Sequence, residues 1–124
     1  MRLAYDRRGA GATLVLLHSL GADRHVWSSV SDRLAGERDV IALDLPGFGD
    51  SPVLDADGPP TPAALADAVT LFLNRLELAD GYHVAGNSLG GWVALELAAA
   101  GRARSVTAIA PAGLWPEPLA PKRG

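Results

Sequence analysis

A chain of 124 residues, 48% apolar and 20% charged, has the length and composition of one domain around one core, which excludes a mainly disordered segment. A formal net charge of −3 leaves no electrostatic footprint for nucleic acid or an anionic membrane surface, and the lack of cysteine excludes a disulfide framework or a thiolate metal site. The apolar run Leu14 to Leu17 is too short for a signal-peptide core or a membrane span, so the cytoplasm is the default location and no membrane partner is expected.

Leu3 to Tyr5 is a short strand candidate, closed by a turn over Asp6-Arg7-Arg8-Gly9. Leu14-Val15-Leu16-Leu17-His18 is a continuous apolar run ending at Ser19 and Gly21, as expected of a strand buried on both faces. Asp23 then reads as an N-cap. Val26, Trp27, Val30 and Leu34 fall on one stripe, which predicts an amphipathic helix over 24–35 with Gly36 as its left-handed stop. Asp39 to Asp44 is a second buried strand, and Leu45-Pro46-Gly47-Phe48-Gly49 breaks it into a loop.

A further loop, Asp55 to Pro60, ends at Thr61-Pro62, an N-cap followed by proline at the first helical position. Leu65, Val69, Phe72 and Leu76 give the next helix its buried face and leave Asp67, Asn74 and Glu77 on the wet side. Tyr82 to Ala85 is a third strand, leading into an Ala- and Leu-rich helix that stops near Gly101 and carries one charge, Glu96, in need of a partner or water. Ser105 to Ala110 is a fourth core strand. Strands alternating with helices in this order predict an α/β fold: a mostly parallel sheet flanked by helices on both faces.

Between the third strand and its helix stands Gly86-Asn87-Ser88-Leu89-Gly90, a G-x-S-x-G pattern. With 14 Gly and 7 Ser in 124 positions, about one such chain in ten shows the pattern by chance. The strand before it and the helix after it supply the setting in which it is a nucleophile elbow. That turn lifts the serine hydroxyl clear of the sheet edge, and the helix N-terminus turns free N–H groups toward developing negative charge, Leu89 N–H being a candidate donor. Among the histidines, His18 suits a strand end held by backbone, His25 the surface, and His83 a satisfied core or edge position. None of them pairs at metal-ligand spacing beside carboxylates, so no metal is expected. Gly47-Phe48-Gly49 lacks the third glycine of a nucleotide loop, no cofactor is expected, and Asp44 is read as anchoring its loop by local hydrogen bonds.

From these residues the chain resembles the α/β-hydrolases, with Ser88 in the place of the nucleophile. His18-Ser19-Leu20-Gly21 with Trp27 is similar to the family's His-Gly oxyanion segment, with Ser19 where glycine is usual; the resemblance implies Leu20 N–H as the second donor, supported by His18, Gly21, Gly86 and Gly90. Asp44 to Ser51 resembles the loop after the family's fourth strand, and Pro111-Ala112-Gly113-Leu114-Trp115 its exit from the sixth. The resemblance implies an antiparallel second strand near Leu3, a partial core domain over 1–115 truncated after the sixth family strand, and a Pro-rich tail over 116–124 at the start of a missing lid. It further implies a hydrolase acting on an ester, thioester, lactone or related acyl bond of a small molecule.

The family's triad runs Ser, then Asp or Glu, then His, and no histidine follows His83. After Ser88 the acids are Glu96, mid-helix, and Glu117, in the tail. The chain alone is therefore expected to be inactive, and the 105–110 strand to be an open edge suited to self-association. The serine argues against relatives with an aspartate nucleophile, such as epoxide hydrolases. Carbon–carbon bond hydrolases, cofactor-free haloperoxidases and a non-catalytic binding protein on the same fold stay as alternatives.

Overall fold

The computed structural model describes residues 2–54 and 60–113. Five strands, β1 (Tyr5–Arg8), β2 (Ala12–Leu17), β3 (Arg38–Leu43), β4 (His83–Asn87) and β5 (Ser105–Ile109), form one sheet in the order β1-β3-β2-β4-β5. β1 runs antiparallel to β3 and the other neighbouring pairs are parallel, the mostly parallel α/β sheet that the alternation predicts. Parallel neighbours need crossovers, which carry α1 (Ser28–Leu34), α2 (Pro62–Arg75) and α3 (Leu89–Ala99). Among the described residues no helix is long and apolar enough to cross a membrane.

The period of two along each strand sorts the core into two layers. Val15, Leu17, Ile41, Leu43 and Val84 pack with Leu65, Val69 and Phe72 of α2 and Val93 and Leu97 of α3. Leu16, Val40, Ala42 and Ala85 form the other layer with Trp27. This second layer is thin. Beside Trp27 an open groove of about 540 Å³ remains, lined by Leu14, Leu16, Ala85, Thr107 and Ile109 among others.

Several expectations meet corrections. β1 occupies Tyr5–Arg8, where a turn was expected, and all four residues are exposed, so apolar patterning carries no trace of it. Its register is set by the ladder with β3 and by Arg7, whose Nε and guanidinium nitrogen each donate to Asp39 at 2.9 Å, while the Thr13 hydroxyl adds a bond of 2.7 Å to the same carboxylate. The turn begins only at Gly9 (φ 88°).

The helix predicted over 24–35 is split into a 3₁₀ turn (Arg24–Trp27), capped as expected by Asp23 through His25 N–H, and α1. Three residues per turn in place of 3.6 break the phase of the stripe. Trp27 and Ser31 are buried, while Val26 and Val30 are 59% and 39% exposed. Gly36 is not left-handed; the helix ends through the Ala35 N–H bond to the Ser31 carbonyl and the Glu37 N–H bond to that of Leu34. β5 stands at the edge of the sheet among the described residues, as expected, but it alternates between exposed and half-buried where a core strand was expected, because Ser105, Thr107 and Ile109 face the open groove of the thin layer. Residues 55–59 of the predicted loop, Leu114 and Trp115, and the 116–124 tail with Glu117 lie outside the described residues.

The Arg7 hydrogen bond holds the Asp39 carboxyl below its ordinary range against the opposing effect of burial. A depressed folded-state pKa contributes stability that is present above the unfolded value of about 3.9 and lost as pH falls through the folded value. Asp39→Asn is therefore expected to cost up to about 1 kcal/mol at neutral pH, a ceiling set by the solvent-open arginine. Urea unfolding of both chains checks the sign: the gap between them should close below about pH 4, and a gap that widens there contradicts the assignment.

Candidate active site

β4 ends at Asn87 and α3 begins at Leu89, so Ser88 alone makes the strand-to-helix turn. It does so at φ 55°, ψ −112°, a conformation costing a non-glycine residue on the order of 1–3 kcal/mol. Neighbouring backbone holds it there. Ser88 N–H donates to the Ile109 carbonyl at 3.1 Å, and the Ser88 carbonyl accepts from Trp92 N–H and Ala112 N–H, each at 3.0 Å.

The flanking glycines are demanded by close approach rather than by unusual dihedrals, since neither Gly86 nor Gly90 has positive φ. A Cβ on Gly86 would lie 2.1 Å from the Gly90 carbonyl oxygen; one on Gly90 would lie 2.2 Å from the carbonyl oxygen of Leu17 and 2.6 Å from that of His18. The second pair of contacts seats the first turn of α3 on the end of β2. The Leu89 N–H and the segment that starts at His18 thus share one locality. The first α3 bond is Trp92 N–H to the Ser88 carbonyl, so the helix makes no use of the Leu89 N–H, and the Ser88 side chain does not cap it.

Leu20 is 67% exposed, in a turn closed by the 3.1 Å bond from Ala22 N–H to the Ser19 carbonyl. Gly21 takes φ 78° there with open space around it, so conformation is its whole requirement. His18 is fully buried, with Nδ1 2.8 Å from the Ser19 carbonyl and Nε2 accepting Leu45 N–H at 2.9 Å. Both ring nitrogens are occupied, with the proton on Nδ1, and Phe48 packs edge-on against the ring at 5.4 Å between centroids. His18 ties the 18–21 segment to the loop after β3 and has no nitrogen left for proton transfer.

The same two segments are tied again by Asp44, also fully buried. Its carboxylate accepts Arg24 N–H at 2.7 Å, the Arg24 guanidinium at 2.5 Å and Asp50 N–H at 2.8 Å. Arg24 reaches Asp6 and Asp50 as well, each at 3.2 Å. Burial pulls the Arg24 pKa down, but the bonds to Asp50 and Asp44 outweigh it and leave the group above its ordinary value. Asp44 thus anchors its loop as its sequence suggests. Nothing in the segment around Arg24 marks that role; the signal lies in Asp44, since a buried aspartate with no basic neighbour in its own loop needs a distant cation to serve it.

The remaining candidates are not brought to Ser88. His25 is exposed and bonded to Asp23. His83 begins β4, five positions before Ser88, roughly 16 Å away along the strand. Glu96 lies half-buried in α3.

Residues 14–124 match the model of the Alpha/beta hydrolase family. Among curated proteins, the chain is 42% identical over 113 residues to the dihydrolipoyllysine-residue acetyltransferase component of an acetoin cleaving system from Pseudomonas putida, covering 89% of this chain and 30% of that protein. It is 37% identical over 98 residues to a pimeloyl-[acyl-carrier protein] methyl ester esterase from Aeromonas salmonicida, covering 79% of this chain and 36% of the esterase. A stretch of 53 residues, 43% of this chain, is 60% identical to the epoxide hydrolase EphH of Mycobacterium tuberculosis and covers 24% of it. The fold superposes on a thermophilic esterase from Thermogutta terrifontis with a TM-score of 0.76 and 36% identity, covering 83% of this chain and 37% of the esterase. The chain thus spans about a third of the length of these relatives.

Proposed function

For a chain that belongs to the Alpha/beta hydrolase family, we propose that Ser88 is the nucleophile of a serine hydrolase acting on an ester, thioester, lactone or related acyl bond of a small molecule. The carrying observation is the strained Ser88 turn, fixed by three backbone hydrogen bonds and by glycines that contact backbone. Strain at one residue between a strand and a helix is an arrangement kept for presenting a side chain. In this reading Ser88 Oγ bonds to the acyl carbon, the carbonyl electron pair moves onto oxygen, and the N–H groups of Leu20 and Leu89 receive that charge. His18 and the Asp44–Arg24 pair hold the Leu20 segment in position.

The hydroxyl proton needs an acceptor, and among the described residues no histidine with a free nitrogen stands near Ser88. Without a base, oxyanion stabilisation and binding supply on the order of 10³ to 10⁴ over water. The 124-residue chain is therefore expected to hydrolyse p-nitrophenyl esters no faster at its Ser88 site than the Ser88→Ala variant does. Robust turnover that Ser88→Ala abolishes sinks the view that the chain lacks its base. The nucleophile assignment is tested separately with a fluorophosphonate probe, which should label Ser88 in a form carrying a complete sheet. Failure to label that form favours the second reading, a non-catalytic binding protein on the same fold, whose motive is that no histidine with a free nitrogen stands near Ser88 among the described residues. The named relatives differ in the reactions their names give, so the bond class rests on Ser88 rather than on any one of them.

A further inference from the structure

At the opposite end of β4 from Ser88, the sheet places a second serine beside a histidine. The β4–β5 ladder pairs His83 with Ser105, and His83 Nδ1 lies 2.6 Å from Ser105 Oγ. Residues opposite one another on paired strands leave the sheet on the same face, so the contact is built into the register. Ser105 is exposed while His83 is half-buried: the hydroxyl is open to an incoming molecule and the ring is held against it. The separation is one at which an imidazole can take a hydroxyl proton.

Both residues line the open groove of the thin layer, whose walls include Leu14, Leu16, Trp27 and Ile109. A groove of about 540 Å³ with apolar walls gives the acyl or aryl part of an ester somewhere to leave water while its carbonyl meets the hydroxyl at the rim. We propose that Ser105 is a second acyl-accepting nucleophile, with His83 as its general base, for small activated esters bearing an apolar or aromatic group. The Ser105 Oγ–carbonyl carbon bond forms as the Oγ proton passes to His83 Nδ1. The carbonyl electron pair moves onto oxygen and returns, breaking the bond to the leaving alkoxide or phenolate, which takes the proton from His83. An acyl ester on Ser105 and a free alcohol or phenol result, with no further reactant. The inference uses a different serine at a different end of the sheet and stands apart from the role of Ser88.

The test treats the folded chain, and its Ser88→Ala variant, with p-nitrophenyl acetate and maps acetylated peptides by mass spectrometry over time. Ser28 and Ser29 of α1 are exposed, and among the described residues neither hydroxyl is hydrogen-bonded to a histidine ring, Ser28 meeting His25 only through its backbone N–H, so they serve as references within the same molecule. Ser105 is expected to acetylate at least about tenfold faster than either, a low figure for positioned base catalysis. The rate should be indifferent to Ser88→Ala, vanish in Ser105→Ala, and fall at least about tenfold in His83→Gln, which stays polar but cannot take the proton. Equal rates at Ser105 and the α1 serines overturn the proposal from the unsubstituted chain alone, whatever the variants do. So does an unchanged Ser105 rate in His83→Gln, or acetyl found on the His83 ring in place of Ser105. Far-UV circular dichroism of each variant confirms that the sheet is intact.

Discussion

Gly90→Ala is expected to lower the melting temperature of the chain by roughly 10 °C or more. Helix propensity points the other way: alanine in place of glycine inside a helix is worth up to about 1 kcal/mol. Space decides against it. The new methyl group would sit 2.2 Å from the Leu17 carbonyl oxygen and 2.6 Å from that of His18, and both are main-chain atoms that cannot swing aside. Overpacking of this kind costs about 3 kcal/mol or more when backbone must move, which outweighs the propensity gain. For a chain of this length that loss corresponds to roughly 10 °C or more. Gly21→Ala is the control, because Gly21 has positive φ but open surroundings, and only a conformational cost of about 1 kcal/mol applies. Thermal unfolding of both variants by circular dichroism reads the contrast. A Gly90→Ala chain that melts within a degree or two of the unsubstituted chain would show that α3 does not press on β2 as described.

Asp44→Ala is expected to be the most damaging polar substitution, at about 3–5 kcal/mol. The carboxylate is fully buried and Arg24 is 14% exposed at its side chain, so removing the acid leaves a largely buried guanidinium with only the exposed Asp6 and Asp50 to compensate. It also orphans the N–H groups of Arg24 and Asp50. Against a total stability of about 5–15 kcal/mol such a loss takes up much of what holds a domain folded. Asp44→Asn keeps an acceptor oxygen and should fall between the two, losing the charge but not every bond. Urea unfolding midpoints of the three chains give the order. An Asp44→Ala chain as stable as the Asn variant would mean that Arg24 finds full compensation elsewhere. Because Arg24 and His18 each bind the loop after β3, Asp44→Ala should also loosen the turn that carries Leu20.

Parts of the molecule that follow from short stretches of chain were legible in the sequence. Thr61-Pro62 opened α2 as written, with Thr61 Oγ1 accepting Ala64 N–H at 3.1 Å. Leu65, Val69 and Phe72 are its buried face, and Gly101 with φ 71° follows the end of α3. The apolar runs at 14–17 and 39–43 are central strands, and Ser88 stands at the strand-to-helix turn that its motif required. Elsewhere the local pattern is weak or misleading. β1 has no apolar alternation to read, and the valines at 26 and 30 follow a helical stripe that the 3₁₀ turn throws out of phase. Both depend on partners that the segment itself does not contain.

The sequence by itself determined the α/β class, the order of strands and helices and the position of Ser88, because each rests on periodicity, capping and turn chemistry within a dozen or so neighbouring residues. Only the tertiary structure decided that Gly90 must be glycine, that Arg24 serves Asp44, that His18 has both nitrogens engaged, and that His83 meets Ser105. The contacts behind those decisions join residues 20 to 73 positions apart: Gly90 with Leu17, His18 with Leu45, Arg24 with Asp44 and His83 with Ser105. Side-chain type states what a residue can do. Which atom stands 3 Å away is fixed by sheet register and helix packing, and these are settled by burial summed over the whole chain.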